Sequence, residues 1–358
     1  MTDSDIYLIT SCFPTLGPLR FKLLIDYFNS AQKFYSAKSE KLTTLGLPVK
    51  LIDDWQKFKL TFDLKNYRAK LDKAGIKVTF PFEPAYPKLL KTLEDRPIVL
   101  YYQGPLASLN KTAIAVVGSR KMTSYGRFAA EKLVSQLSDY PVAIASGLMY
   151  GIDEVTHRTA ITNKAQTIGI WAGGLDTLSG SRLKLAKDIL RSDGIIATEY
   201  PLGFPPSAAT FPVRNRIVSG LSKAVLVIEA AQNSGSLITA SHAARQGREV
   251  LAVPGPINSL TSQGTNSLIQ KGAKLAQGLS DILEELDIKP EAKTAPSALL
   301  PLDGTTQKIL SLIAKTPIHI DDIARLTDLP TAKISSILTS LELSGQITNL
   351  GSGIYSLN

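Results

Sequence analysis

The chain has 358 residues, 44% of them hydrophobic and 20% charged, which is ordinary globular usage and excludes wholesale disorder and fibrous repeats. One cysteine (Cys12) and three histidines (His157, His242, His319), with no CxxC or HExxH spacing, exclude an internal disulfide and argue against a dedicated metal site. Lys and Arg outnumber Asp and Glu by 40 to 31, a net charge of +9, and that balance favours a polyanionic partner. No apolar run reaches the ~18 residues of a membrane span, and the N-terminus lacks the basic stretch of a signal peptide. The chain therefore reads as a soluble, cytoplasmic protein without a membrane span.

At about 150 residues per domain the length accommodates two or three domains. Residues 1–80 predict a helical domain, with amphipathic helices at 4–10, 20–28, 48–58 and 66–74 separated by Gly, Pro and Ser breaks. Its strings PTLGPLRFKLLIDYF (14–28) and LTTLGLPVKLIDDW (42–55) each place a glycine turn before a helix. Helix-hairpin-helix hairpins do the same, their glycine letting backbone N–H groups approach a DNA phosphate. From Thr112 the pattern changes to short apolar runs alternating with helical stretches: TAIAVV, PVAIAS, QTIGIWA, GIIATE, AVLVIEA and EVLAVPG. Runs this apolar predict parallel strands buried on both faces. With helices predicted at 125–138, 153–162, 183–192, 214–220, 237–246 and 266–271, residues 81–287 read as an extended, Rossmann-like doubly wound α/β sheet, mainly parallel. A proline-containing stretch at 288–303 reads as a linker. Three helices at 305–315, 320–327 and 331–344, followed by a hairpin turning at Gly351-Ser352-Gly353, predict a C-terminal winged helix over 304–358.

Chemistry gathers at the predicted strand ends. VVGSR (116–120) puts a glycine, a serine and an arginine where a strand turns into a helix. Free N–H groups, the helix end and a guanidinium there make an anion cradle; a plain turn with a surface arginine is the alternative. The chain has no GxxxxGK[ST] string, which excludes an ATPase P-loop. ASGLMYGID (145–153) closes the second strand, with His157 one helical turn beyond Asp153. An acid–imidazole pair is one interpretation, but a helix cap with a packed histidine is favoured. WAGGLD, EAAQNSGSLITA and VPGPINSLTSQGTN bring further glycines and hydroxyls to the same edge, where ligands of open α/β sheets bind. In FPVRNRIVSGLS (211–222), Arg214 and Arg216 flank Asn215. The two guanidinium groups either converge on a run of phosphates or pair with Glu199 and Glu229 as an interior scaffold.

Taken together, GSR (118–120), SGLMYGID (146–153) with His157, GGLD (173–176), EYPLG (199–203), FPVRNRIVSGLS (211–222), SGSLITA (234–240), GREVLAVPG (247–255) and GTNSLIQKGA (264–273) resemble the DprA/Smf family in order and spacing. The resemblance spans roughly residues 86–286. It implies an extended Rossmann core, with a sterile-alpha-motif-like (SAM-like) helical domain before it and a winged helix after it. It also implies a non-enzymatic mediator that binds incoming single-stranded DNA, deals with single-strand-binding protein and loads RecA during natural transformation. Family members dimerise through the Rossmann core, and no cofactor is implied. Carried over by motif, the DNA site uses Gly118, Ser119 and Arg120, then Ser146 and Gly147, Arg214 and Arg216, and Ser234, Gly235 and Ser236. Asn215, Thr239, Gly264 and Thr265 join it from the same strings, and Lys121 and Asn233 as their immediate neighbours.

Two departures stand out. Asn233 occupies the position before SGS where the family commonly has Lys or Arg, and Thr177-Leu178-Ser179 replaces an aromatic–proline pair after GGLD. Losing one cation removes about 0.7 from a single-strand salt slope, and the missing aromatic leaves base stacking unassigned. Residues 301–358 carry 4 basic and 5 acidic residues, so protein contact or a regulatory lid suits the winged helix better than groove reading. The alternative function is a nucleotide-binding enzyme of the LOG phosphoribohydrolase type. Its PGGxGT loop and catalytic acid are not reproduced by VPGPINSLTSQGT.

Overall fold

The computed structural model describes residues 1–289, 303–314, 316–343 and 346–357. The first ~75 residues form six short helices: α1 (Asp3–Ser11), α2 (Pro18–Phe28), α3 (Ala31–Tyr35), α4 (Ser39–Thr43), α5 (Val49–Thr61) and α6 (Leu64–Lys73). Thr2 and Asp5 close a capping box on α1, and Gly17-Pro18 starts α2, with the proline's missing N–H costing nothing at that position. The helices bury Ile6, Leu8, Phe21, Phe34 and Trp55, with Phe34 stacked on Trp55 at 5.4 Å between ring centres. The sequence pattern anticipated α1, α2, α5 and α6. It missed α3 and α4, which at five residues each are too short to display a period.

The apolar core under these helices does not stop at residue 80. It runs on into Tyr101, Leu148, Met149 and Trp171 of the α/β layer. Polar contacts cross the seam as well: Leu202 N–H donates to Tyr67 Oη at 3.1 Å, and the Ser11 and Tyr101 hydroxyls lie 2.7 Å apart. The contacts divide the chain into two compact units, Met1–Pro290 and Glu291–Asn358, so the helices share a unit with the sheet.

The sheet elements follow as β1 (Lys77–Thr79), α7 (Lys88–Lys91), β2 (Leu100–Gln103), β3 (Ala113–Val117), α8 (Ser124–Leu137), β4 (Ala143–Gly147), α9 (Ile152–Thr162), β5 (Thr167–Ile170), α10 (Gly180–Arg191), β6 (Ile195–Thr198), α11 (Thr210–Gly220), β7 (Ala224–Val227), α12 (Gly235–Arg245), β8 (Glu249–Ala252), α13 (Gln263–Gln270), β9 (Lys274–Leu275) and α14 (Leu279–Leu286). The strand order is β1-β2-β6-β5-β4-β3-β7-β8-β9. Every pairing from β6 through β9 is parallel, and β1 and β2 add an antiparallel edge. Strands β3 to β7 are fully buried, as two-sided helical cover requires. Between β3 and β7 the strand order reverses, which is the switch point where doubly wound sheets open a crevice.

The second unit holds α15 (Gly304–Ile313), β10 (Ile318–His319), α16 (Ile320–Thr327), α17 (Thr331–Leu343), β11 (Ile347–Gly351) and β12 (Ile354–Leu357), with sheet order β10-β12-β11. Three helices and a wing make the winged helix anticipated from the sequence. Its core includes Ile309, Ile313, Ile323, Ile334, Leu338, Leu341 and Ile347. The wing turns where expected: Gly351, Ser352 and Gly353 have φ of 98°, 52° and 77°. Most of the predicted linker, residues 290–302, lies outside the described residues. Among the described residues no helix is long and apolar enough to cross a membrane.

Candidate nucleic-acid interface

The loops that leave β3, β4 and β7 at the switch point enclose an open cleft of about 710 Å³. Gly118, Ser119, Arg120 and Lys121 line it from the β3 loop, Gly147 from the end of β4, and Asn233, Ser234, Gly235, Ser236 and Thr239 from the β7–α12 junction. Ser234 caps α12, accepting from Ser236 N–H, so the positive end of that helix opens on the cleft. Across from it, α11 contributes Phe211, Arg214, Asn215 and Val218, the i, i+3, i+4, i+7 face of one helix. Asn215 ties the two walls together, its Nδ2 donating to the Gly235 carbonyl at 3.2 Å.

The cations of the cleft fall into two classes. Arg120 and Lys121 are exposed, and among the described residues neither side chain has a hydrogen bond or ion pair. The Arg120 guanidinium instead lies 5.2 Å from the centre of the Phe211 ring, an arrangement that leaves its N–H edge free. Arg214 belongs to the floor. It is 3% exposed, its Nη1 donates to the Ile170 carbonyl, and its Nε donates to Asn215 Oδ1 at 3.2 Å. Burial lowers its pKa to about 10, against the attraction of the nearby Asp153. Burial likewise raises the Asp153 carboxyl to about 6, with the Arg214 charge opposing.

Four of the residues expected in the site are elsewhere. Arg216 is turned away and forms a buried ion pair with Glu199, with Asp95 at 3.4 Å from its Nε. Residues two apart on a helix do not face the same side, so Arg214 and Arg216 cannot converge on one phosphate run. The scaffold alternative holds for Arg216 with Glu199. It fails for Glu229, whose carboxylate accepts instead from Thr123 N–H at 2.9 Å and from the Thr261 hydroxyl at 3.0 Å, pinning two loops. Ser146 is fully buried and donates to the Val116 carbonyl at 2.7 Å. Gly264 and Thr265 sit behind the β7 loop: a Cβ on Gly264 would come within 2.6 Å of the Ala230 carbonyl oxygen, and the Thr265 hydroxyl donates to Ser262 O.

The Asp153–His157 pair resolves into structure. Gly151, at φ 80°, rather than Asp153, is the N-cap of α9. His157 is fully buried, with Nδ1 2.7 Å from Thr167 Oγ1 and Nε2–H donating to the Gly147 carbonyl at 3.1 Å. Burial lowers its pKa to about 4, so the ring is neutral and braces the end of β4. Sequence reasoning missed Phe211 as a cleft residue, although its spacing from Arg214 and Asn215 carried the signal.

This fold and site define a Rossmann-like core with an open cleft at its switch point, lined by glycines, hydroxyls and two exposed cations. Residues 77–287 match the sequence model of the family described as DNA recombination-mediator protein A, and residues 293–353 match that of the DprA winged helix domain. The chain belongs to the DNA recombination-mediator protein A family. It is 37% identical over 280 residues to protein Smf of Escherichia coli, covering 76% of this chain and 75% of that one. It is 39% identical over 205 residues to DNA processing protein DprA of Streptococcus pneumoniae, covering 57% and 72%. The X-ray structure of the pneumococcal DprA aligns with a TM-score of 0.69 at 31% identity, over 80% of this chain and 98% of that one. A structure of DNA processing protein A from Helicobacter pylori, described by its single-stranded DNA binding mode, aligns with a TM-score of 0.54 at 28% identity, over 60% and 97%.

Proposed function

We propose that this chain binds single-stranded DNA along the cleft and acts as a non-enzymatic recombination mediator in the cytoplasm. In this role it protects incoming strands, displaces or bypasses single-strand-binding protein and loads RecA in natural transformation, working as a homodimer through its α/β core. The observation that carries the proposal is the pair of exposed rim cations, Arg120 and Lys121, whose side chains make no hydrogen bond or ion pair among the described residues and which line the cleft together with the first turn of α12. Phosphates are the ligand that such a rim suits. Phe211, flanked by Arg120, adds a ring on which a base can stack, and stacking favours unpaired strands over duplex. The Helicobacter pylori relative supports the same ligand class.

The acid that lines the cleft, Asp153, and the acid behind it, Glu229, weigh against a hydrolytic role. Asp153 is buried against Arg214, and Glu229 is engaged with Thr123 and Thr261. The test is one anisotropy titration of oligothymidylate against duplex at two salt concentrations. Preferential, salt-sensitive binding of the single strand is expected; equal or stronger binding of duplex would overturn the proposal.

A further inference from the structure

Beyond the cleft wall, the row of rings and guanidinium groups continues. The Phe211 ring meets Trp171 edge-on at 6.1 Å. Trp171 is held by its Nε1–H, which donates to Thr177 Oγ1 at 3.1 Å. The Arg182 guanidinium lies 5.6 Å from the Trp171 ring centre and 4.6 Å from that of Tyr150. Tyr150 is 47% exposed and directly follows Met149, a cleft residue. Loops from the ends of β4 and β5 and the first turn of α10 thus bring one exposed ring and one guanidinium together just outside the cleft.

Arg182 has no acidic partner among the described residues. It makes no hydrogen bond or ion pair with them, and its Nε is buried with nothing to donate to. A guanidinium fixed between two rings keeps its charge and its outer N–H groups while losing most of its freedom to wander. A surface arginine that merely needed solvation would not have to be placed in this way.

We propose that Tyr150 and Arg182 form a second subsite for single-stranded polynucleotide, taking a base on the exposed Tyr150 ring and its phosphate on the free edge of Arg182. The subsite rests on the binding function proposed above and extends it. A strand held by Arg120 and the α12 end leaves the cleft past Met149 and reaches the Tyr150–Arg182 pair next. It supplies the stacking surface that Thr177-Leu178-Ser179 lacks.

The test compares oligothymidylates of about 4 and about 16 nucleotides, which span the range of single-strand site sizes, on the full chain and on Tyr150→Ala, Arg182→Ala and Tyr150→Phe. Both alanine variants are expected to bind the long strand about fivefold or more weakly while binding the short strand as the parent does. Arg182→Ala should also lower the salt slope for the long strand by about 0.7, and Tyr150→Phe should behave as the parent. Unchanged long-strand binding overturns the subsite and leaves the cleft standing. Equal losses at both lengths also overturn it, because they mean that the pair only supports Trp171 and Phe211. If the parent binds neither strand, the cleft and the subsite fall together.

Discussion

Arg214 and Asp153 face each other across Gly147, so closely that a Cβ on that glycine would overlap both Nη1 of the arginine and Oδ2 of the acid. The floor of the cleft is therefore a compensated pair over a residue that must lack a side chain. Gly147→Ala forces one of two buried charged groups to move. It is expected to cost about 1–3 kcal/mol of stability, as overpacking does, and to weaken single-strand binding with it. Urea denaturation alongside an oligothymidylate titration checks both; an alanine variant of parental stability would show that the pair has room to shift.

Arg120 and Arg214 should separate cleanly on mutation. Arg120→Ala removes an exposed cation, so its melting temperature should match the parent while affinity falls by about tenfold, the scale of one charged hydrogen bond, and the salt slope drops by about 0.7. Arg214→Ala deletes a buried group bonded to Ile170 O and should lower the melting temperature, leaving Asp153 without its counter-charge. Thermal melts and salt-dependent anisotropy on both variants decide the assignment. An Arg120→Ala slope equal to the parent's would remove it from the phosphate path.

Two buried groups give stability a pH signature of opposite signs. His157 has its pKa lowered from 6.5 to about 4 in the fold, so unfolded chains take up more protons between those values, and its contribution is lost as pH falls from 6.5 to 4. Asp153 has its pKa raised from 3.8 to about 6. Its contribution is full below 3.8 and is lost as pH rises toward 6. Asp153→Asn removes only the second dependence, so its stability relative to the parent should climb as pH rises from 4 to 6. A flat difference across that window, measured by chemical denaturation, would show that the carboxyl is not shifted.

Removing residues 291–358 should leave single-strand affinity within about twofold, because the segment from 301 onward has 4 basic against 5 acidic residues and each lost phosphate contact would show in the salt slope. The remaining residues form a unit with its own core. Anisotropy on the shortened chain checks this; a large drop would assign the winged helix a direct part in DNA binding.

The parts of the fold that were legible in the sequence are those whose environment leaves a strong pattern. Strands β3 to β8 announced themselves as apolar runs because most of them are covered on both faces, and the wing announced itself through its glycines. The antiparallel edge made by β1 and β2 did not: a three-residue strand and a four-residue strand flanked by prolines offer neither alternation nor length. In the site, the β3 and β7 loops were legible because glycine and serine at a strand-to-helix turn point to backbone donors. Arg216 misled because adjacency in sequence was taken for adjacency in space, whereas helix geometry groups Arg214 with Phe211 and Val218. The contrast between exposed Arg120 and buried Arg214 depends on tertiary cover that no local string records.

The unbroken core beneath the N-terminal helices bears on how this protein can be divided. An accretion that evolution adds or sheds freely tends to meet its host across a wet seam, yet here Tyr101, Leu148 and Trp171 are shared property. A recombinant piece beginning at residue 77 would take Ser11 and Tyr67 from the Tyr101 hydroxyl and open one side of this shared cluster to water as a sticky scar. Because Trp171 belongs to the same cluster and touches both Phe211 and Arg182, loosening the cluster would be felt at the cleft wall, and the excised fragment would be a poor surrogate for the whole.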